Sequence, residues 1–453
     1  HQSSLSGPAP MSQASRRRSR VPTTRLGRMF RLGLTAGELA LGGLAESARR
    51  MTGNGAEGNA SALLTAANAR KLAQRLAHMR GAAMKLGQLL SLDGDFILPP
   101  EFAEALAVLR DSADHMPQAQ LNRLLGREYG KGWQERFTDF DYEPIAAASI
   151  GQVHYARCQD GRELALKIQY PGVAKSIASD VDNMVTLLRT ARIMPADFPV
   201  GALADEAKRQ LTQEADYLQE AHWLRRFGKL VADEPRFRVP RVHEDLTTRR
   251  VLAMDYMPGA PLSVLERPDT PQHRRDRVGG MLYHLMFREL FEFGVMQTDP
   301  NFGNYLLDPG SGDLVLLDFG SATEYPRDFT SLYARICRAI LAQDKDEIQR
   351  VAVEIGYLHD GDPEAHVREV VDLLLIVCEP LSHPGIFDFA DSDLIPRARD
   401  AGLELVFRSG HFRPPPPATM FLHRKLVGSF LLCARMGARV PVHDLVTPFL
   451  SED

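Results

Sequence analysis

The feature that most restricts the fold is a pair of short segments. Asp299-Pro-Asn-Phe-Gly-Asn304 sets an asparagine five residues after an aspartate, and Asp318-Phe319-Gly320 closes a later apolar run. Carboxamide and carboxylate oxygens in this arrangement suit a hard divalent cation, provided that the fold lays the two segments side by side. Short strands around Tyr305–Leu307 and Val315–Leu317, separated by a Pro309-Gly310 turn, meet that condition. A second restriction is Lys167, the last residue of Leu164-Ala165-Leu166-Lys167 on an interior strand. A lysine among apolar residues is costly to bury without a carboxylate partner. The stretch Glu214-Ala-Asp216-Tyr-Leu-Gln-Glu220, read as helical, supplies carboxylates, and Glu220 is the expected partner.

Around these residues the pattern is that of protein kinases. Pro144 to Tyr170 reads as strands, with Asp160-Gly161 as the turn between Gln152–Cys158 and Arg162–Gln169. There Ala146 to Val153 gives A-x-A-x-x-G-x-V, where kinases place G-x-G-x-x-G-x-V over the nucleotide phosphates. Glycine lets backbone amides approach a phosphate closely. Alanine at two of the three positions stays compact but restricts the loop, so an altered grip on the phosphates is expected. Leu164 to Lys167 stands where kinases have V-A-I-K, and Asp299 to Asn304 has the spacing of H-R-D-L-x-x-x-N. In that arrangement Asp299 orients or deprotonates the acceptor, while Asn304 and Asp318 hold Mg²⁺ or Mn²⁺ against the phosphates. The expected ATP/ADP site comprises Ala146, Ala147, Ala148, Ser149, Ile150, Gly151, Val153, Lys167 and Glu220, with Met254 and Tyr256 on the strand read over 250–257.

Helical periodicity fills most of the remainder, over 61–92, after Pro99-Pro100, over 176–192 and 202–231, and nearly throughout beyond residue 257. A last helical stretch starts at the four prolines 414–417. The expected division is a basic arm with a short membrane-proximal helix at 1–60, a helical extension at 61–139, an N-lobe at 140–255 and a helical C-lobe at 256–453. The fold class is α+β, a bilobal protein-kinase-like fold with a helical N-terminal extension and a mostly helical C-lobe. Hydrophobic residues at 44% and charged residues at 25% exclude disordered and fibrous classes. A net charge of -4 argues against a nucleic-acid partner. The arm differs, with nine Arg against three Glu in residues 1–60, which suits contact with an anionic membrane surface. Residues 1–28 read as a disordered arm, and the ten residues before Met11 as upstream or non-native sequence. Four scattered cysteines, with no C-x-x-C pairing, read as buried apolar residues in a reducing compartment.

Several motifs go further than the general kinase pattern. Lys85-Leu-Gly87-Gln88, the Ala-rich loop continuing to His154, Glu214-x-Asp216 and Gln297-Thr298-Asp299-Pro-Asn301 together resemble the UbiB family of atypical kinase-like proteins. The likeness runs from about Arg20 to the C-terminus. It is greatest to the branch that includes the mitochondrial coenzyme Q proteins, down to Gln169-Tyr-Pro-Gly-Val and His423-Arg-Lys. Many bacterial members have His-Ala-Asp where this chain has Gln297-Thr298-Asp299, a departure that leaves Asp299 intact and removes any role for a catalytic-loop histidine. The resemblance implies binding of nucleotide and Mg²⁺, ATPase activity, and support of ubiquinone biosynthesis at a membrane. It also implies that Lys85 meets the Glu214-x-Asp216 motif, so that Lys85, Gln88, Glu214 and Asp216 act as a regulatory set.

Three readings of function follow. The first is an ATPase or small-molecule-directed kinase that couples nucleotide turnover to the handling of quinone-precursor lipids. The second is a nucleotide-gated scaffold for a biosynthetic complex, and the third a true protein kinase. A complete metal set favours the first over the second. After Gly320 the chain soon enters a helix, with no long activation segment and no Ala-Pro-Glu, which counts against the third. Expected partners are nucleotide, an anionic membrane, quinone-precursor lipids, ubiquinone-biosynthesis proteins and a second copy of the chain. The expected location is the bacterial cytoplasm, peripheral to the inner membrane, or alternatively the matrix side of the mitochondrial inner membrane.

Overall fold

A computed structural model of the chain describes residues 81–82, 85–86, 115–190, 200–407 and 416–451. The basic arm, most of the helical extension and Gln88 lie outside the described residues. Chain contacts divide after Ala215 into a first unit and a second unit that starts at Asp216.

In the first unit, α1 (Gln118–Tyr129) leads through a short turn at Trp133–Arg136 into an antiparallel sheet. Its strands are β1 (Phe137–Phe140), β2 (Ala146–Ala147), β3 (Gly151–Cys158) and β4 (Glu163–Gln169). Strand β3 pairs with each of the others, and the register sets Ala146 opposite Val153 and Val153 opposite Lys167. Directly opposed residues share a face, so one row across the sheet joins the Ala-rich hairpin to the lysine strand. The β3–β4 turn has Gly161 at φ +86°, a backbone conformation that costs glycine little. From Leu164 to Gln169 every residue of β4 is buried, which explains the apolar run that Lys167 interrupts. Helix α2 (Val173–Thr190) packs on α3 (Val200–Glu214).

The single helical stretch expected over 202–231 is in fact two helices. Helix α3 ends at Glu214, and α4 (Tyr217–Leu230) begins beyond Asp216, whose carboxylate accepts a hydrogen bond from Gln219 N at 3.1 Å. Asp216 is therefore an N-cap, and it ends one helix by starting the next.

The second unit continues with β5 (Phe237–Arg238), β6 (Val251–Asp255), β7 (Ala260–Pro261) and α5 (Gln272–Phe287), then a π-helical turn over Arg288–Phe293. Strands β8 (Val295–Gln297), β9 (Tyr305–Leu307), β10 (Leu314–Leu316) and β11 (Ala322–Glu324) follow. They form a sheet in the order β5-β10-β9-β7 and a separate β8–β11 ribbon. The remainder is helical: α6 (Arg327–Leu341), α7 (Lys345–Ile355), α8 (Glu364–Val377), α9 (Glu379–Ser382), α10 (Leu394–Phe407), α11 (Pro417–Met436) and α12 (Val442–Leu450), with a ribbon of β12 (Phe387–Asp388) and β13 (Arg439–Val440). Two corrections concern strands. The sequence reading has no counterpart for β1, β5, β7, β8, β11, β12 and β13, and Asp318 lies beyond the end of β10 rather than on it. Helix α5 is the buried centre of this unit. A Cβ on its Gly279 would come within 2.7 Å of the Ala438 Cβ, so only glycine permits the observed approach.

Cys158, Cys337 and Cys433 are buried, Cys378 is half-buried, and all four are free thiols. Among the described residues, no helix is long and apolar enough to cross a membrane.

Candidate functional site

The first unit holds the Ala-rich turn and two of the lysines singled out in the sequence. Ala146 and Ala147 are exposed on β2, and Ala148 N donates to Gly151 O at 3.0 Å, closing the turn. Ile150 is buried and its carbonyl accepts from Tyr170 N at 2.9 Å, which ties the turn to the far end of β4. Lys167 is 7% exposed, in register with Val153. Lys85 is 0% exposed, and its ammonium donates to Glu214 Oε1. The other oxygen of Glu214 accepts from the Ser149 hydroxyl at 2.5 Å. One carboxylate at the end of α3 thus holds both the Lys85 helix and the Ala-rich turn. The approach is close, because a Cβ on Gly81 would stand 3.0 Å from Ile150 Cγ2. Asp216, spent on its own helix cap, is placed differently from Glu214.

A second polar chain backs the same hairpin. Gln152 Oε1 accepts from Met116 N at 3.0 Å, its amide meets His154 Nε2 at 2.7 Å, and His154 Nδ1 reaches Asp141 O at 2.8 Å. These partners suit a neutral imidazole that donates from Nδ1. Burial lowers the His154 pKa, against the pull of the Asp141 carbonyl.

In the second unit, backbone pairing assembles the polar loop. Gln297 lies opposite Ala322 in the β8–β11 ribbon, and Tyr305 opposite Leu316 in the β9–β10 pair. Leu317 N donates to Asn304 O at 3.0 Å and Thr298 Oγ1 to Ser321 O at 2.7 Å. Asp299 and Asn304 therefore share one loop, and Asp318 follows the residue that bonds Asn304. The Asn304 amide nitrogen donates to Asp299 O at 2.7 Å and Oδ2 at 3.4 Å, and Gln297 Nε2 also donates to Asp299 O. Asp318 Oδ1 accepts from Gly320 N at 2.9 Å. Phe319 stacks on Phe227 of α4, with ring centroids 4.3 Å apart. Glu220, seven residues before Phe227 on one helical stripe, is 1% exposed. Met254 is buried on β6 and Tyr256 half-buried just beyond it.

Sequence reasoning left out the residues that hold this loop. Arg424 on α11 donates to Asp299 Oδ1 at 2.6 Å, and the next residue, Lys425, lies 3.1 Å from Glu289 Oε2. Burial pushes the Glu289 carboxyl up. Burial also pulls at the Lys425 ammonium, but Glu289 and Tyr305 outweigh it and leave the lysine pKa raised. Gly428, one turn further on, lies so near Pro300 that a Cβ would stand 1.9 Å from Pro300 Cγ. A signal existed in His423-Arg-Lys, three consecutive basic residues in a mostly apolar stretch.

Asn304 and Asp318 offer only hard oxygen donors of the kind Mg²⁺ prefers. Because the Asn304 amide nitrogen is committed to Asp299, its carbonyl oxygen is the end suited to a cation.

Residues 108–352 match the ABC1 atypical kinase-like domain. The chain is 39% identical over 445 residues to the mitochondrial atypical kinase COQ8B of Rattus norvegicus, covering 97% of this chain and 83% of that protein. It is 35% identical over 425 residues to the mitochondrial atypical kinase COQ8 of Saccharomyces cerevisiae, covering 93% and 84%. Among solved structures, Rv3197 of Mycobacterium tuberculosis, determined with erythromycin, has a TM-score of 0.58 at 28% identity, covering 87% of this chain and 99% of that one. The ordered site residues and these likenesses agree: the chain belongs to the ABC1, or UbiB, family of atypical kinase-like proteins.

Proposed function

We propose that this chain is an atypical kinase-like ATPase that binds Mg-nucleotide and supports ubiquinone biosynthesis at a membrane, coupling ATP turnover to the handling of quinone-precursor lipids. The observation that supports the reading is the Asp299–Asn304 hydrogen bond, with Asp318 next in sequence to Leu317, whose N–H donates to Asn304 O. Asp299 is held by Asn304 and Gln297 through its backbone carbonyl and by Arg424 through its carboxylate, an arrangement suited to orienting an acceptor. Asn304 and Asp318 hold Mg²⁺, which when bound neutralises charge on the phosphates. Lys167 would pair with phosphate, and Ala146 to Val153, Glu220, Met254 and Tyr256 are the residues assigned to the nucleotide. Lys85 and Glu214 restrain the Ala-rich turn through Ser149, and Gln88 and Asp216 belong to the same regulatory set. Such restraint disfavours transfer to proteins in trans. The arm meets anionic lipid, and the mitochondrial names of the relatives favour the mitochondrial inner membrane over the bacterial one.

The test is steady-state ADP release with and without cardiolipin-containing liposomes and phenolic quinone-precursor mimics, for the chain and for Asp318→Asn. Metal-dependent release that rises with liposomes and mimics and is lost in Asp318→Asn is expected. Undiminished turnover in that variant overturns the reading.

A further inference from the structure

Lys425 and Glu289 are 3% and 1% exposed. A buried ion pair is a poor way merely to join two helices, since removing water from both charges offsets much of their attraction and apolar side chains serve as well. What the two groups touch besides each other is more informative. Glu289 Oε1 accepts a hydrogen bond from Gln297 N at 3.2 Å, and Lys425 interacts with the Tyr305 hydroxyl beside it. Gln297 is the last residue of β8 and Tyr305 the first of β9. They are the two ends of the loop that bears Asp299 and Asn304.

We propose that Glu289 and Lys425 are positioning residues for phosphoryl chemistry: a single buried ion pair ties the two ends of the 298–304 loop together and so fixes the separation of Asp299 and Asn304. The proposal rests on the reading of this loop as catalytic. A loop of this length is floppy unless its ends are fixed, and a reacting geometry misplaced by about 1 Å can lose about 10²-fold in rate. Arg424 and Gly428 of the same helix meet Asp299 and Pro300 within the loop.

The experiment measures thermal unfolding and steady-state ATP hydrolysis for Lys425→Met, Glu289→Gln, the double variant, Tyr305→Phe and Asp299→Asn. Each single change at the pair leaves one buried charge without its partner, so Tm falls, whereas the double variant recovers most of the loss. The expected signature is that kcat does not recover with it: the double variant stays about tenfold down with KM for ATP within about twofold. Tyr305→Phe, which leaves the pair intact and cuts only its contact with the loop end, lowers kcat about threefold at nearly unchanged Tm. If kcat returns with Tm in the double variant, or if Tyr305→Phe matches wild type in kcat, the pair is structural only and the proposal is overturned. Undiminished turnover in Asp299→Asn instead removes the catalytic reading of the loop, and the proposal with it.

Discussion

The two units hold their polar residues by opposite means. In the first, Lys85 and Ser149 converge on the two oxygens of one carboxylate, Glu214. In the second, the 298–304 loop is held by several separate contacts from α11, at Asp299, at Pro300 and through Lys425 at Tyr305. Convergence makes a single point of failure. Distribution, the buried Lys425–Glu289 pair apart, makes each contact individually replaceable in stability while the set fixes a geometry. The first unit should therefore be sensitive to one substitution, and the second should lose turnover before it loses its fold.

The sharpest way to break that contrast is Glu214→Gln. It takes from the Lys85 ammonium, 0% exposed, the carboxylate it pairs with, at a cost of about 3 kcal/mol. Thermal unfolding should show a fall in Tm well beyond that of any single change on α11 outside the buried Lys425, and a fall no larger than that of Ser149→Ala would end the idea of a shared anchor. Next in size is Gly428→Ala. The added methyl has Pro300 in its way at 1.9 Å, which predicts a loss of about 2 kcal/mol together with reduced kcat. Wild-type turnover in this variant would show that α11 does not set the loop.

A third effect depends on pH. Burial lowers the His423 pKa from 6.5 to about 4, and its ring meets the Tyr357 hydroxyl. The folded chain refuses a proton that the unfolded chain accepts below pH 6.5, so stability present above that pH is lost as pH falls toward 4, by about 1.4 kcal/mol per unit at most. Denaturant titrations at pH 7 and pH 5 should show a smaller difference for His423→Asn than for wild type, and equal differences would remove the histidine from the account. The smallest change is expected for Ser149→Ala. It deletes one hydrogen bond to Glu214 at about 1 kcal/mol and frees the Ala-rich turn, so the KM for ATP should move more than Tm.

What could be seen in the sequence was local. The β3–β4 hairpin is written in its apolar residues and in Asp160-Gly161, and the Asp299–Asn304 spacing needs only a few residues to be recognised. Arg424 could not be paired with Asp299 from the sequence, because 125 residues separate them and no local pattern encodes a partner so distant. Strands of two or three residues, such as β8 and β11, are too short for alternation to register. The break at Asp216 hides for another reason: apolar periodicity continues on both sides of it. Its signal was an N-cap with glutamine three residues later, Asp216-Tyr-Leu-Gln219, ahead of the apolar stripe.

One short connection has a consequence for control over time. Only residues 321–326 join Gly320 to the start of α6, and of the hydroxyl-bearing residues there Ser321 and Tyr325 are buried and Thr323 sits on β11, opposite Met296 of β8. Kinases with a long loop at this position can keep a phosphate on it and so stay switched on after the stimulus has gone. This chain has no such place to store a past event at that point. On the proposed function, a phosphate stored at this connection would not set its activity, which there should follow the nucleotide and metal then bound.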